Sequence, residues 1–227
     1  MYLLQHMDRD YSIAPLGDHS VIIEWKQEID PAIHRRVMSV FYYLQSLHLP
    51  YVLDLIPAYA SLTIIYAPGM VFPIEDVVAA ATTHETITPR LLEIPVCYHP
   101  SLGLDIETMA AQKDLSVDFI IELHTQQIYT VYMLGFLPGF PYMGKVDDRL
   151  ATPRLKKPRL KVPGGSVGIA GSQTGIYSMT SPGGWNIIGQ TPVRMFNPDK
   201  DIPCFCSPGD QVQFVPVSLN EFHKMIK

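Results

Sequence analysis

The chain has 227 residues, of which 47% are hydrophobic and only 17% charged, with a net charge of −5 from 17 basic and 22 acidic groups. That much apolar material supports a packed core and excludes wholesale disorder, while the acidic balance argues against a general nucleic-acid binder. So few charges over so large a surface leave part of it for a protein partner.

The length fits one large domain or two small ones. No apolar run approaches the ~20 residues of a membrane span. The opening MYLLQHMDRD is too short and too charged for a signal peptide, so a cytoplasmic protein with no membrane contact is expected. Cys97, Cys204 and Cys206 make neither a disulfide framework nor a zinc spacing and read as thiols of a reducing cytosol.

Glycine marks two regions, because 11 of the 15 glycines fall between Gly135 and Gly189. The first region, residues 1–93, begins with two apolar patches around Leu16-Gly17-Asp18, which predict two strands or a strand with a turn. Asp30-Pro31 then supplies an N-cap and a proline at the first helical position. Ile33, Val37, Val40, Phe41, Leu44 and Leu47 follow at helical spacing, until His48-Leu49-Pro50 ends the helix. Two strands around Pro57-Ala58 come next, then a helix opened by Phe72-Pro73 and running to about Thr83, then an extended stretch from Arg90 to Tyr98. The order predicts a small α+β domain, an antiparallel sheet with two helices on one face.

The second region, residues 94–227, opens with two short helices capped by Asp105 and Ser116. Asp105 and Glu107, two apart, share no helix face and make a poor carboxylate pair. From Gln127 the pattern turns to short strands between Gly/Pro turns: 128–134, 166–170, 175–177, 186–188, 193–196 and 211–215. Such spacing predicts an all-β barrel or sandwich.

The chemistry-bearing residues crowd into residues 135–192. GFLPGFPYMG presents Phe136, Phe140 and Tyr142 from a backbone stiffened by proline and freed by glycine, as a groove wall or as a plug for the end of a barrel. A strip of six cations follows, Arg149, Arg154, Lys156, Lys157, Arg159 and Lys161, with no acid among them. It reads as an anion or partner contact, or as a solvated loop. Gln173, Thr174, Tyr177 and Trp185 are polar-tipped groups beside glycines, able to orient a small ligand or to satisfy barrel turns. Gly164-Gly165-Ser166 lacks the spacing of a phosphate loop. His124 ends an apolar helix, where it is either a cap on that helix or a general base. The eight histidines show no metal-ligand spacing, so no metal is expected.

Three ordered segments, GFLPGFPYMG, LATPRLKKPRLKVPGGSVGIAGSQTGIY and SPGGWNIIGQTP, with VCYHPSLGLDIETMA and ELHT upstream, resemble the family of 5-oxoprolinase B subunits. That family also carries the description allophanate hydrolase subunit 1 and includes sporulation-kinase inhibitor proteins. The resemblance implies a cyclophilin-like β-barrel after the α+β domain. It implies a non-autonomous part, with little activity alone, of a complex whose A and C subunits complete the enzyme. That complex opens the lactam of 5-oxo-L-proline to L-glutamate. ATP with magnesium would serve it, with no cofactor held tightly by this chain. Arg154, Arg159, Lys161, Gln173, Tyr177 and Trp185 are then candidates to hold substrate or phosphate, with Phe136, Phe140 and Tyr142 lining the groove. Two other roles stay open, inhibition of a sensor histidine kinase and allophanate or urea amide hydrolysis. The chain departs from the family pattern at His99-Pro100 and at Gln190, where arginine is expected and one anion contact is therefore missing.

Overall fold

The computed structural model describes residues 10–70, 74–81 and 88–226, and the chain divides into two units between Thr88 and Pro89. The N-terminal unit runs β1 (Tyr11–Pro15), β2 (Ser20–Trp25), α1 (Pro31–Ser46), β3 (Val52–Pro57), β4 (Ser61–Tyr66) and α2 (Ile74–Ala81). Its strands form an antiparallel sheet in the order β1-β2-β4-β3. The alternation of β2 and β4 turns Val21, Ile23, Trp25, Leu62 and Ile64 to one face, where Val37, Val40, Leu44, Val77 and Val78 of the helices cover them.

Asp30 caps α1 as its sequence position predicts, accepting from the amides of Ala32 at 2.6 Å and Ile33 at 3.1 Å. The buried stripe is offset from the expected one. His34 and Met38 are buried, whereas Leu47 lies beyond the last helical residue as the C-cap and is 39% exposed. The Phe72-Pro73 opening expected for α2 and its end near Thr83 lie outside the described residues.

The C-terminal unit contains β5 (Leu91–Val96), α3 (Ile106–Lys113), α4 (Val117–Thr125), β6 (Ile128–Leu134), β7 (Pro141–Gly144), β8 (Arg159–Val162), β9 (Ser166–Ala170), β10 (Gln173–Ile176), β11 (Ser181–Gly183), β12 (Asn186–Gln190), β13 (Gln211–Pro216) and α5 (Leu219–Met225). Seven strands make one sheet, β12-β9-β10-β7-β6-β13-β5. It curls until its two edges meet, where Cys97 and Gln190 exchange backbone hydrogen bonds of 2.9 and 3.0 Å. Ile94, Tyr129, Val131, Met143, Val167, Ile169 and Phe214 fill the inside.

Two expectations change here. By its pattern the stretch from Arg90 to Tyr98 closes the N-terminal region. Its strand β5 instead pairs in parallel with β13, from Leu91 opposite Gln211 to Val96 opposite Pro216. The expected strand at residues 193–196 does not form. Only Phe196 bridges, to Cys204, and the Val193 amide turns back onto the Thr191 hydroxyl. β7, β8, β11 and α5 are further elements that periodicity does not indicate.

Every residue of β9 is buried, because both faces of the sheet are covered there. A strap, residues 152–162, crosses the outer face. It is held by a two-bond bridge between Thr152 and Gly171, by the Asn186 amide on the Pro153 carbonyl at 2.8 Å, and by Leu155 N–H on the Gly184 carbonyl at 2.7 Å. Its last residues form β8, which pairs with β11. On this face Phe140, Val162, Ala170, Tyr177, Trp185 and Ile187 make a second apolar layer.

Candidate functional site

The outer layer carries the site. Phe140 lies at its centre, with ring centroids 4.8 Å from Tyr142, 5.3 Å from Tyr177 and 5.4 Å from Trp185, the last two edge-to-face. Gly175 of β10 makes room for it, since a Cβ there would stand 3.0 Å from the Phe140 ring. Phe136 meets both Phe140 and Tyr177 edge-on, at 5.6 and 6.2 Å, and the residue is 60% exposed. Its backbone is in the left-handed region, at φ +64°, where a bulky residue is rare. The result is an aromatic ledge rising to an exposed ring.

Burial pushes the hydroxyls of Tyr142 and Tyr177 above their ordinary pKa, and the Arg154 guanidinium partly offsets the effect at both. The charge of one exposed cation thus acts on both phenol hydroxyls. Arg154 makes no ion pair among the described residues.

The other cations of the strip divide by partner. Arg149 is bidentate to Asp147, with both bonds at 2.8 Å, and holds that carboxyl down to about 2. Arg159 is a pin rather than an open anion contact. Its Nη2 bonds the buried Asp105 carboxylate at 2.6 Å, while the other Asp105 oxygen accepts from the Ile187 amide at 2.6 Å. Asp105 thus ties strap, helix start and β12 together and does not cap α3, as its position before that helix suggests. Arg159 Nη1 is buried and unpartnered, and Arg159 also acts on Tyr177. Lys161 stands exposed on β8.

Gln173 is not brought to the ledge. It opens β10 opposite Gly144, four residues and about 13 Å along the strand from Tyr177. His124 is inside the curled sheet with no exposed surface. Thr174 Oγ1 donates to the Gly168 carbonyl at 3.2 Å, so it accepts from His124 Nε2 at 2.9 Å, and Nδ1 then accepts from the Tyr98 hydroxyl at 2.7 Å. The ring stacks on Phe214 at 4.5 Å, and burial lowers its pKa to about 3. Both ring nitrogens are engaged in a closed chain away from solvent. It is neither a charged helix cap nor a base that a dissolved substrate can reach. The three cysteines are free thiols, and burial pushes Cys206 up to about 12.

The family model described as "Carboxyltransferase domain, subdomain C and D" matches residues 11–206. A Bacillus subtilis (strain 168) protein, named as the B subunit of 5-oxoprolinase, is 38% identical over 229 residues, covering 94% of this chain and 95% of its own. The chain belongs to the family of 5-oxoprolinase B subunits. The Escherichia coli O157:H7 member is 37% identical, over 88% of this chain and 94% of its own. A crystal structure titled TTHA0988 shares the fold with a TM-score of 0.79 at 33% identity; this chain covers 40% of it and matches over 88% of its own length. The urea amidolyase of Saccharomyces cerevisiae is more distant, 27% identical over 61% of this chain and 9% of its own. The family resemblance of the glycine-rich segments therefore holds over most of the chain.

Proposed function

We propose that the chain is the B subunit of a multi-subunit ATP-dependent 5-oxoprolinase, working with the A and C subunits, and that its cyclophilin-like barrel orients the lactam substrate. The observation that carries this reading is the exposed Arg154 on the strap, whose charge acts on the Tyr142 and Tyr177 hydroxyls, together with the exposed Phe136 edge-on to Tyr177. 5-Oxo-L-proline is a flat ring bearing one carboxylate. A guanidinium takes a carboxylate with two parallel bonds, and an exposed aromatic face takes a flat ring. The names of the related 5-oxoprolinase proteins support the substrate class.

A nucleotide does not fit the Gly164-Gly165-Ser166 loop. Its amides are already engaged, Gly164 with the Thr180 hydroxyl at 3.2 Å, Gly165 with the Tyr177 carbonyl at 2.7 Å and Ser166 with the Pro163 carbonyl at 3.3 Å. No free amides are left there to cradle a phosphate. ATP and magnesium accordingly belong to the assembled complex in this proposal, and the chain acts as a non-autonomous part of the hydrolase.

The test is glutamate release from 5-oxo-L-proline and ATP by the complex reconstituted with its A and C subunits. Arg154→Gln should lower turnover at least tenfold with an unchanged melting midpoint. Unchanged turnover would remove Arg154 from the site. A well-formed complex that releases no glutamate would overturn the reading, in favour of kinase binding if the chain alone suppresses histidine-kinase autophosphorylation, or of urea chemistry if allophanate is consumed.

A further inference from the structure

The residue after Tyr177 leads to a different place. Ser178 lines a cavity of about 330 Å³, floored by Gly164 and Gly165 and walled by Phe222 and Ile226 at α5. The floor requires glycine. Gly165 has φ +81°, and a Cβ there would stand 2.5 Å from the Thr191 carbonyl oxygen. Among the described residues Arg194 is the one charged residue of the lining. Its Nε donates to the Phe196 carbonyl at 3.1 Å, and it pairs with no carboxylate among the described residues. Gln190 spans the floor, its Nε2 donating to the Gly164 carbonyl at 2.7 Å, so its Oε1 remains an acceptor. The Ser178 hydroxyl is buried without any hydrogen-bond partner.

A cavity whose described lining has one cation, no anion, an amide oxygen and an unsatisfied hydroxyl selects for a ligand of complementary polarity. A buried hydroxyl without a partner is unfavourable, and rotation about one χ1 bond re-aims it. We propose that this cavity binds a small carboxylate that also carries an N–H donor. Arg194 pairs with the carboxylate, the Ser178 hydroxyl turns to donate to it, and Gln190 Oε1 accepts from the nitrogen. Two compounds of the reaction proposed above share that chemistry, 5-oxo-L-proline through its lactam N–H and L-glutamate through its ammonium. The choice of these probes rests on that reading, whereas the cavity and its groups do not.

The experiment is a titration of the full chain, without its partners, with 5-oxo-L-proline, L-glutamate and 2-pyrrolidinone, read by calorimetry and by amide chemical shifts. One of the two carboxylates should bind, moving the amides of Gly165, Ser178 and Arg194, and 2-pyrrolidinone, which lacks the carboxylate, should not compete. Whichever carboxylate binds more tightly identifies the source. Arg194→Gln should weaken binding at least tenfold. Ser178→Ala should weaken it about threefold without lowering the melting midpoint, since the hydroxyl has no partner to lose in the free protein. No binding of either carboxylate, affinity indifferent to both substitutions, or shifts confined to the ledge around Leu137 and Tyr142 would each overturn the proposal. Shifts confined to the ledge would speak for the Arg154 site, and none of these outcomes decides reconstituted turnover, so the two readings fail separately.

Discussion

Phe136 is the residue whose backbone and side chain are both unfavourably placed. The left-handed conformation costs a non-glycine residue roughly 1–2 kcal/mol, and a residue 60% exposed recovers little by burial. An outlier of this kind points to a use for the side chain rather than to packing. Phe136→Gly should therefore leave the melting midpoint unchanged or a few degrees higher, while turnover of the reconstituted complex falls at least tenfold. A lower midpoint with normal turnover would make the residue structural. His124 yields a prediction in pH. Its folded pKa of about 3 lies below the ordinary 6.5, so between those values the unfolded chain holds the extra proton. The stability this neutral ring contributes is complete above pH 6.5 and is lost progressively toward pH 3, by at most about 1.4 kcal/mol per unit. Denaturant unfolding at pH 7, 6, 5 and 4 should show the decline, and a folded His124→Gln variant should show it with one proton less. An identical slope in that variant would mean that other groups set it. The sequence shows that Phe136, Tyr142 and Tyr177 share a glycine-rich stretch, but not which cation joins them. Arg154 and Arg159 look equivalent as letters, and only the buried Asp105, 54 positions from Arg159, separates an open guanidinium from a pinned one.

At the scale of elements, legibility follows hydrophobic pattern. β6 and β9 have runs of apolar and β-branched residues and are readable to the residue, from Ile128 to Leu134 and from Ser166 to Ala170. β8 and β11 are three or four residues of charged, small or proline-containing sequence, and they are strands because the strap is tied down across the sheet. The strap accordingly depends on long-range polar contacts. Removing Arg159 leaves a carboxylate nearly buried and unpaired, a loss of about 3–5 kcal/mol for a fully buried pair and less here, because the Arg159 side chain is 27% exposed. Arg159→Ala should destabilise the protein by about 1–3 kcal/mol and open the strap to trypsin after Arg154 and Lys156. In Asp105→Ala/Arg159→Ala the two losses should sum to more than the double variant shows. Additive losses, with unchanged tryptic cleavage, would mean that the strap is held elsewhere.

For the whole molecule, the composition shift near residue 94 reflects where glycine is needed, which differs from where the chain changes partners. Strand periodicity reports which face of a strand is buried and is silent on which strand lies beside it. β5 illustrates this. Its sequence LLEIPV follows the N-terminal α+β pattern without a break, yet all six of its residues register in parallel with β13, and Ile94 and Val96 have no exposed surface. Parallel neighbours distant in sequence are the pairing that local pattern predicts least well, because their connection contains most of a domain. The bridge from Cys97 to Gln190 then depends on β5 being in place, since Cys97 follows directly on its last residue. The division between Thr88 and Pro89 therefore makes a prediction that a boundary at residue 94 does not share. A fragment of residues 89–227 should fold, with a cooperative thermal transition and dispersed amide resonances. A fragment of residues 95–227 lacks Leu91 to Ile94, leaving four β13 positions without their partner and one edge of the sheet poorly held. It should aggregate or unfold without cooperativity. Equal stability of the two fragments would show that β5 is dispensable to the curled sheet and that its parallel pairing contributes little to the fold.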